Sequence, residues 1–195
     1  MKVSREQAAE NRERIVQVAA KLFRERGFDG VGVADLMKAA GLTHGGFYGH
    51  FASKEDLAAE ACGRALDRSL QIWSSEVEKA PDEAFSKIIN SYLSEAHRNG
   101  PGSGCLVAAL GSDVGRQTPP IQRVVTEGIH GLVGELMRLV SGKSKSARRR
   151  QALSDFAAMV GAVTIARAVD DPELSRDVLH AVASSLSGSC KERRH

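Results

Sequence analysis

The chain has few aromatic residues, which favour strands, and few prolines, which interrupt helices. Of its 195 residues, 5% are aromatic and five are prolines, whereas alanine-rich stretches recur. Because alanine favours helices and aromatic residues favour strands, this balance indicates a helical protein. No alternating strand pattern is present either. The sequence therefore predicts an all-α fold of about nine helices.

Cysteine and long apolar stretches are also scarce. Cys62, Cys105 and Cys190 are odd in number and far apart, which argues against a disulfide framework and against a Cys-x-x-Cys metal site. No apolar run approaches the roughly 20 residues that cross a bilayer, and residues 1–11 lack the apolar core of a signal peptide. We therefore expect a protein of the reducing cytoplasm with no membrane partner.

Charge is nearly balanced and catalytic motifs are missing. The net charge is +3, and residues 1–60 carry nine basic and nine acidic side chains. Any contact with nucleic acid must therefore come from the local placement of side chains. The chain contains no Gly-x-Ser-x-Gly nucleophile elbow, no glycine-rich phosphate loop and no His-Glu-x-x-His zinc motif. We expect no catalytic residue, no metal site and no cofactor.

What the chain does have is a helix-turn-helix pattern near its start. Apolar residues at helical spacing over residues 15–23 are followed by shorter helical patterns over 33–40 and 44–50. The turn between the last two contains Gly41, and Thr43 is expected to cap the helix that follows. In such a motif the second helix enters the major groove of DNA. An ordinary helical hairpin is the alternative for these residues alone.

Five short motifs then follow one another over residues 27–57. They are Gly27-Phe28, Val33-Ala34-Asp35-Leu36, Ala39-Ala40-Gly41-Leu42-Thr43, Gly45-Gly46-Phe47-Tyr48-Gly49-His50-Phe51 and Ser53-Lys54-Glu55-Asp56-Leu57. In order and spacing, this series resembles the N-terminal domain of the TetR/AcrR regulators. The resemblance covers about residues 10–57, and the remaining chain is similar mainly in its helical plan.

The resemblance implies a homodimeric repressor that binds a palindromic operator in double-stranded DNA and is released by a small, largely apolar effector. It implies a helix-turn-helix DNA-binding domain over residues 1–57 and a helical ligand-binding and dimerisation domain over residues 58–195. Three of the corresponding family positions commonly touch the DNA backbone, and those around 43–46 approach bases. The expected DNA-contacting residues are Thr43, His44, Gly45, Gly46, Tyr48, Gly49, His50 and Lys54, of which Tyr48, His50 and Lys54 are the backbone contacts.

The expected recognition helix is unusually poor in side chains. Gly45, Gly46 and Gly49 leave much of its outer face bare, and Gly46 stands where the family commonly has threonine. We infer that the glycines allow the backbone to approach DNA closely, with His44 and Tyr48 reading bases and DNA shape supplying the rest. The alternative is a flexible reader of low specificity.

The rest of the chain suggests connections and a dimer interface. Residues 99–104 are expected to form a flexible loop, residues 142–150 a basic linker, and residues 156–169 a helix buried on all sides. Alanine and glycine recur four residues apart within that helix. This spacing predicts a four-helix bundle across a two-fold axis, with packing inside one chain as the alternative.

A candidate effector pocket rests on aromatic and polar residues in this second part. An apolar cavity with a few polar groups is the usual design, although core packing explains each residue singly as well. Cys105 also suggests an alternative function, a helix-turn-helix regulator that senses oxidation. The candidate pocket residues are Trp73, Phe85, Tyr92, His97, Cys105, His130, Phe156 and Met159.

Overall fold

A computed structural model describes residues 4–192, with side chains over residues 4–188. Within that range it contains nine α-helices, two short 3₁₀-helices and no strand, which confirms the all-α prediction. Each helix there falls short of the length and apolarity that a bilayer crossing demands. The helices are α1 (Arg5–Arg26), α2 (Val33–Ala39), a 3₁₀-helix (His44–Gly49), α3 (Lys54–Lys79), α4 (Pro81–Tyr92), α5 (Glu95–Asn99), a 3₁₀-helix (Pro101–Ser103), α6 (Leu106–Val114), α7 (Pro119–Leu139), α8 (Lys145–Ala168) and α9 (Pro172–Glu192).

Side-chain caps and prolines determine where several helices begin. Ser4 accepts a hydrogen bond from the backbone N–H of Gln7 at 3.1 Å, as its position before α1 predicts. Ser144 caps α8 in the same way, and Asp171 accepts bonds from two N–H groups in the first turn of α9. Pro81 takes the first position of α4, where the missing N–H costs nothing.

The chain divides into two compact units. The first runs to Leu66 and resumes over Pro101–Thr126, whereas the second takes Asp67–Gly100 and begins again at Glu127. Two of the three boundaries fall inside a helix, so α3 and α7 each contribute to both units. The helix-turn-helix pattern lies wholly in the first unit, and most of the candidate pocket residues lie in the second.

The core of the first unit is built on one face of α1. Ile15, Ala19 and Phe23 have almost no exposed surface, as their helical spacing predicts. Gly27 ends the helix with a positive φ of 77°, a conformation that would strain a residue with a side chain. A Cβ at Gly27 would also lie 3.3 Å from a carboxylate oxygen of Asp113 in α6. Glycine is therefore required at this helix end for its backbone angle, and its lack of a side chain leaves room for α6.

The expected flexible loop over residues 99–104 is instead partly packed. Gly102 is buried, and its carbonyl oxygen accepts hydrogen bonds from Nε of Arg24 at 3.1 Å and from Nη2 of the same side chain. A Cβ at Gly102 would lie 2.9 Å from Cγ of Lys21. The prediction of a flexible loop was wrong here. The lack of a side chain at Gly102 lets the loop backbone pack closely against α1.

The expected basic linker over residues 142–150 is also wrong, because α8 begins within it. Ser144 accepts a hydrogen bond from the N–H of Ala147 at 3.1 Å and so caps the helix. Lysine and arginine are good helix formers, so the basic run continues the helix that the cap starts. The five-residue α5, capped by Ser94, was not predicted because it is too short to show an apolar period.

Helix α8 buries one face only, although residues 156–169 were expected to be buried on all sides. Ile165 is 50% exposed, and Ala157, Thr164 and Ala168 are exposed as well. A Cβ added at Gly161 would meet no atom within 4 Å. The exposed face thus consists largely of small and apolar residues. The buried face consists of Phe156, Met159, Ala162, Val163 and Ala166.

Candidate nucleic-acid interface

Helix α2 and the 3₁₀-helix at His44–Gly49 form the predicted helix-turn-helix. In the turn, the N–H of Gly41 donates to the carbonyl of Lys38 at 3.0 Å, and the N–H of Leu42 donates to the carbonyl of Met37 at 2.9 Å. These two bonds make a Schellman motif, and Gly41 has the positive φ of 71° that the motif requires. The turn therefore ends α2 and redirects the chain into the second helix.

The second helix is a 3₁₀-helix and not an α-helix. The N–H of Gly46 donates to the carbonyl of Thr43 at 3.0 Å, and the N–H of His50 donates to the carbonyl of Phe47 at 2.9 Å. Such three-residue spacing defines the 3₁₀ form, and glycines disfavour a regular α-helix. The predicted Thr43 side-chain cap is wrong, because the Thr43 carbonyl takes the N–H that a cap would satisfy. We refer to residues 43–50 as the recognition segment.

Aromatic packing holds the recognition segment against the first unit. Phe47 has no exposed surface and Phe51 is buried, which confirms the core role predicted for both rings. Their ring centroids lie 5.6 Å apart. The ring of Tyr48 meets Phe47 edge-on at 5.2 Å, yet the Tyr48 side chain is 68% exposed. The segment is thus held by rings that face inward and presents Tyr48 to the surroundings.

The predicted DNA-contacting residues lie along this same stretch, and none of them is buried. A Cβ added at Gly45 or Gly49 would meet nothing within 4 Å, and one at Gly46 would meet Met37 at an ordinary 3.6 Å. Packing within the chain therefore does not require these three glycines. The exposed members are Thr43, His44, Gly45, Tyr48 and Gly49, and the half-exposed members are Gly46, His50 and Lys54.

The first turn of α3 combines a cap with two acidic side chains. The N–H of Asp56 donates to the Ser53 hydroxyl at 3.0 Å, and the Asp56 carboxylate accepts from the N–H of Ala52 at 3.3 Å. Bonds from its own backbone N–H and from the Ser53 hydroxyl lower the pKa of Glu55. A phosphate at this helix start would therefore find part of the N–H groups already occupied, and Lys54 supplies the positive charge.

Two ion pairs join α1 to α3 in the first unit. The Arg12 guanidinium binds the Glu60 carboxylate with both of its outer nitrogens, the Nη2–Oε2 distance being 2.6 Å. Arg64 binds Glu13 with an Nη2–Oε2 distance of 2.6 Å. The Arg12 guanidinium carbon also lies 4.6 Å from the ring centroid of Phe51. The hydrogen bond to Glu60 raises the pKa of Arg12, although burial opposes that rise.

Sequence reasoning did not find these ion pairs. Arg12 and Glu60 are 48 residues apart, and Glu13 and Arg64 are 51 apart. The only available signal is that each residue lies on a helix whose opposite face is apolar. Many charged residues share that property, so the pattern does not select partners.

Four of the eight candidate pocket residues form one aromatic cluster in the second unit. Trp73 lies 6.2 Å from Tyr92 and 6.3 Å from Phe156, measured between ring centroids. The rings of Tyr92 and His97 are 4.6 Å apart, and His97 Nδ1 lies 2.6 Å from the Tyr92 carbonyl oxygen. Burial lowers the pKa of His97; the Tyr92 carbonyl opposes this, and the charge of Arg167 adds to it. We call Trp73, Tyr92, His97 and Phe156 the aromatic cluster.

The other four candidate pocket residues are not part of that ring-contact cluster. Phe85 and Met159 are buried in the second unit, whereas His130 is exposed on α7. Cys105 belongs to the first unit, where it is buried directly before α6. Cys62, also buried, has its thiol pKa raised to about 12 by burial.

A polar cleft of the second unit was not predicted. It is lined by residues of α5 and by the connection from α8 to α9. Arg98 donates to the Ser175 hydroxyl at 2.9 Å, and Arg167 donates to the carbonyls of Arg98 and His97 at 2.9 Å and 2.7 Å. The short helix α5 places Arg98 in this cleft. Because α5 was not predicted from the sequence, the cleft was not predicted either.

Comparison with known families decides what the helix-turn-helix belongs to. Residues 15–61 match the family model of the bacterial regulatory proteins of the tetR family. Over these residues the chain is similar to the N-terminal domain of the TetR family of transcriptional regulators. The matched range contains α2, the recognition segment and the start of α3, so the decisive likeness and the helix-turn-helix geometry fall on the same residues.

Two curated HTH-type transcriptional regulators are similar to parts of the chain. The uncharacterized HTH-type transcriptional regulator YerO of Bacillus subtilis strain 168 is 30% identical over 90 residues, 44% of this chain and 31% of YerO. The HTH-type transcriptional repressor NemR of Escherichia coli K12 is 25% identical over 130 residues, 65% of either chain. The matched part of the chain thus spans less than two thirds of the length of these relatives.

The fold of a TetR-family regulator extends over nearly all of the chain. The crystal structure of E. coli NemR in its reduced form superposes with a TM-score of 0.78 at 21% sequence identity. The superposition covers 92% of this chain and 96% of that chain. It shows that the two proteins share a fold, including the helices that follow the DNA-binding part.

Proposed function

We propose that the protein is a homodimeric repressor that binds a near-palindromic operator and is released by a small, largely apolar effector. In this proposal residues 1–57 bind DNA, whereas residues 58–195 bind the effector and form the dimer. The observation that carries it is the recognition segment, in which buried Phe47 holds exposed Tyr48. The protein acts by binding alone, without catalysis or a cofactor.

The residues of the recognition segment, together with Lys54 at the start of α3, divide by the kind of contact that their chemistry allows. The Tyr48 hydroxyl, the His50 ring and the Lys54 ammonium group donate to phosphate oxygens, which position the protein without reading sequence. His44 and Tyr48 approach base edges in the major groove. Because Gly45 and Gly49 have open space around them, the backbone approaches the duplex closely there.

Two substitutions test this division. Tyr48→Phe removes one hydroxyl and should weaken binding to every duplex by about 1 kcal/mol. His44→Ala should instead change the preference among base sequences. Affinities for the operator and for a scrambled duplex are measured at one salt concentration. If neither substitution changes either affinity, the recognition segment does not bind DNA.

The exposed face of α8 supports a dimer. Small and apolar residues cover this face, and Gly161 lies on it with open space at its Cβ position. Gly161→Leu should therefore leave the single chain intact and disturb only a partner helix, at a typical cost of about 1–3 kcal/mol. Gly134→Leu on α7, where a Cβ also meets no atom within 4 Å, is the matched control. Sedimentation of the unsubstituted protein as a monomer at micromolar concentration contradicts the dimer.

Effector binding in the second unit is supported by the aromatic cluster. Trp73 belongs to the cluster and lies on α3, the helix that begins directly after the recognition segment. A shift of α3 would alter the spacing of the two recognition segments of a dimer, and half-site spacing is a strict geometric requirement. An effector that prefers the shifted state lowers operator affinity by linkage, typically by about 1–3 kcal/mol.

The fluorescence of Trp73, the only tryptophan of the chain, tests the effector proposal. Apolar compounds are titrated while Trp73 emission and operator affinity are followed together. A compound that binds in the second unit should change both in proportion. A compound that saturates the Trp73 signal while operator affinity stays constant shows that occupancy of this site does not control DNA binding.

Cys105 supports a second candidate function, release of DNA after oxidation. It lies at the start of α6 in the same compact unit as the recognition segment, and the NemR crystal structure is of a reduced form. Because Cys105 is buried, this function requires an opening that admits the oxidant. Rapid thiol labelling of Cys105 in the native protein with loss of DNA binding supports the sensor; slow labelling with intact binding contradicts it.

A further inference from the structure

The two ion pairs between α1 and α3 join the same helices but differ in their contacts. In each pair an arginine Nη2 lies 2.6 Å from a glutamate Oε2, and Arg12 makes a second hydrogen bond to Glu60 through Nη1. Exposure is also similar, at 40% and 31% for Arg12 and Glu60 and 49% and 37% for Arg64 and Glu13. Arg12 additionally lies over the ring of Phe51, 4.6 Å from its centroid.

Through that ring, Arg12 reaches the recognition segment. Phe51 packs against Phe47 at 5.6 Å, and Phe47 packs against Tyr48 at 5.2 Å. The N–H groups of His50 and Phe51 both donate to the Phe47 carbonyl, at 2.9 Å and 3.0 Å. A displacement of the Phe51 ring therefore changes the position of the residues proposed to face DNA.

The recognition segment has little rigidity of its own. Three of the six residues in its 3₁₀-helix are glycines, the Thr43 side chain makes no cap, and Phe47 is its buried residue. Glycine leaves the backbone with more conformational freedom than any other residue. The orientation of the segment therefore depends on its aromatic anchors and on what covers them.

We propose that Arg12 is a positioning residue for DNA recognition: clamped to Glu60, its guanidinium covers the Phe51 ring and holds the recognition segment in one orientation. The proposal rests on the proposed DNA-binding function. A segment held in one orientation discriminates between base sequences, whereas one that tilts loses contacts to bases before contacts to the flexible phosphate backbone. Arg12 therefore contributes to specificity more than to total affinity or stability.

The test compares Arg12→Lys with Arg64→Lys. Lysine keeps the charge in both variants but lacks the planar guanidinium, which binds Glu60 through two nitrogens at position 12 and Glu13 through one at position 64. At position 12 lysine also loses the flat cover over Phe51. The operator duplex is selected from random DNA with the unsubstituted protein. Dissociation constants for this duplex and for a scrambled one are measured at fixed salt, together with thermal midpoints.

We expect Arg12→Lys to lower the ratio of operator to scrambled affinity by about three- to five-fold. This is the change in affinity that losing a partly exposed cation–π contact produces. Arg64→Lys should change that ratio by less than about 1.5-fold, and its thermal midpoint should fall no further than that of Arg12→Lys. Glu60→Gln, which loosens the clamp on Arg12, should lower the ratio in the same direction.

Three outcomes overturn the inference, and they differ in meaning. An equal fall in the ratio for Arg12→Lys and Arg64→Lys shows that any link between α1 and α3 serves as well. An unchanged ratio with weaker binding to both duplexes shows that Arg12 contacts phosphate. Failure of the unsubstituted protein to enrich any sequence contradicts the proposed function itself, and the inference with it.

Discussion

The recognition segment and the aromatic cluster are both chains of touching rings, yet they differ in where the chain of rings ends. At the recognition segment, the buried rings of Phe47 and of the adjacent Phe51 lead to Tyr48, which is 68% exposed. In the aromatic cluster, Trp73 and Phe156 are buried and the half-buried His97 ring turns back to the carbonyl of Tyr92. The first arrangement presents a polar group at the surface, whereas in the second the His97 ring meets a carbonyl oxygen within the cluster.

This difference indicates how each region would meet a ligand. A duplex is too large to enter a protein, so the polar groups that bind it must project from the surface, where Tyr48 lies. A small apolar molecule gains most from burial, so under the proposed function its site would lie among rings that are buried before it arrives. Under the proposed function, DNA binds the recognition segment at the exposed surface. An effector, in contrast, would bind the aromatic cluster only after its buried rings move apart.

The largest expected effect separates support from contact within the recognition segment. Phe47→Ala removes a ring with no exposed surface and should lower the free energy of unfolding by about 3–5 kcal/mol. Tyr48→Ala removes a neighbouring ring that is mostly exposed and should change stability by less than about 0.5 kcal/mol while weakening DNA binding. Urea unfolding and operator affinity are measured for both. Equal stability losses would show that Tyr48 is part of the core.

A second prediction concerns the glycines of the recognition segment, which have no counterpart among the residues of the aromatic cluster. A Cβ at Gly45 or Gly49 meets no atom within 4 Å, and neither residue has a positive φ. Gly45→Ala and Gly49→Ala should therefore stabilise the protein by about 0.4–1 kcal/mol, because the unfolded chain loses freedom. If the backbone approaches DNA closely, the added methyl groups should nevertheless weaken operator binding by about 1–3 kcal/mol through overpacking.

Gly134→Ala on α7 is the control for that experiment. Its Cβ also meets no atom within 4 Å, so it should add stability without changing DNA binding. Tighter operator binding by Gly45→Ala or Gly49→Ala would favour the other interpretation, in which the glycines make a flexible reader of low specificity. The paired measurement of stability and affinity thus decides between two hypotheses that sequence reasoning left open.

The local features of the recognition segment were predictable because they depend on neighbours in sequence. Helical spacing indicated that Phe47 and Phe51 face the core, and Gly41 marked the turn. The change from an α-helix to a 3₁₀-helix also has a local cause in the glycines, although spacing alone does not distinguish the two forms. A family match over these residues made the DNA-binding function of this region predictable as well.

Features that join distant residues were not predictable. The pairing of Arg12 with Glu60 depends on the packing of α1 against α3. A pattern within a short stretch of sequence does not predict such packing. Gly102 illustrates the same limit, because its neighbours suggest a free loop whereas contact with Arg24 fixes it on α1. The aromatic cluster likewise joins residues up to 83 positions apart in sequence, from Trp73 to Phe156.

The smallest expected effect tests the internal polar group of the aromatic cluster. Burial lowers the pKa of His97 below its ordinary 6.5, with the charge of Arg167 acting in the same direction and the Tyr92 carbonyl opposing it. The unfolded chain therefore takes up a proton at a higher pH than the folded chain. This contribution to stability is complete above about pH 6.5 and is lost as the pH falls from there towards the lowered native pKa.

Unfolding by urea is compared at about pH 7.5 and about pH 5.5 for the unsubstituted protein, for His97→Gln and for His130→Gln. His97→Gln should lose less stability over this interval than the unsubstituted protein, whereas His130→Gln, which removes an exposed histidine of the same unit, should lose as much. Equal losses for all three proteins would show that His97 is as accessible to protons in the folded chain as in the unfolded one. The aromatic cluster would then be open to solvent, and the contrast with the recognition segment would fail.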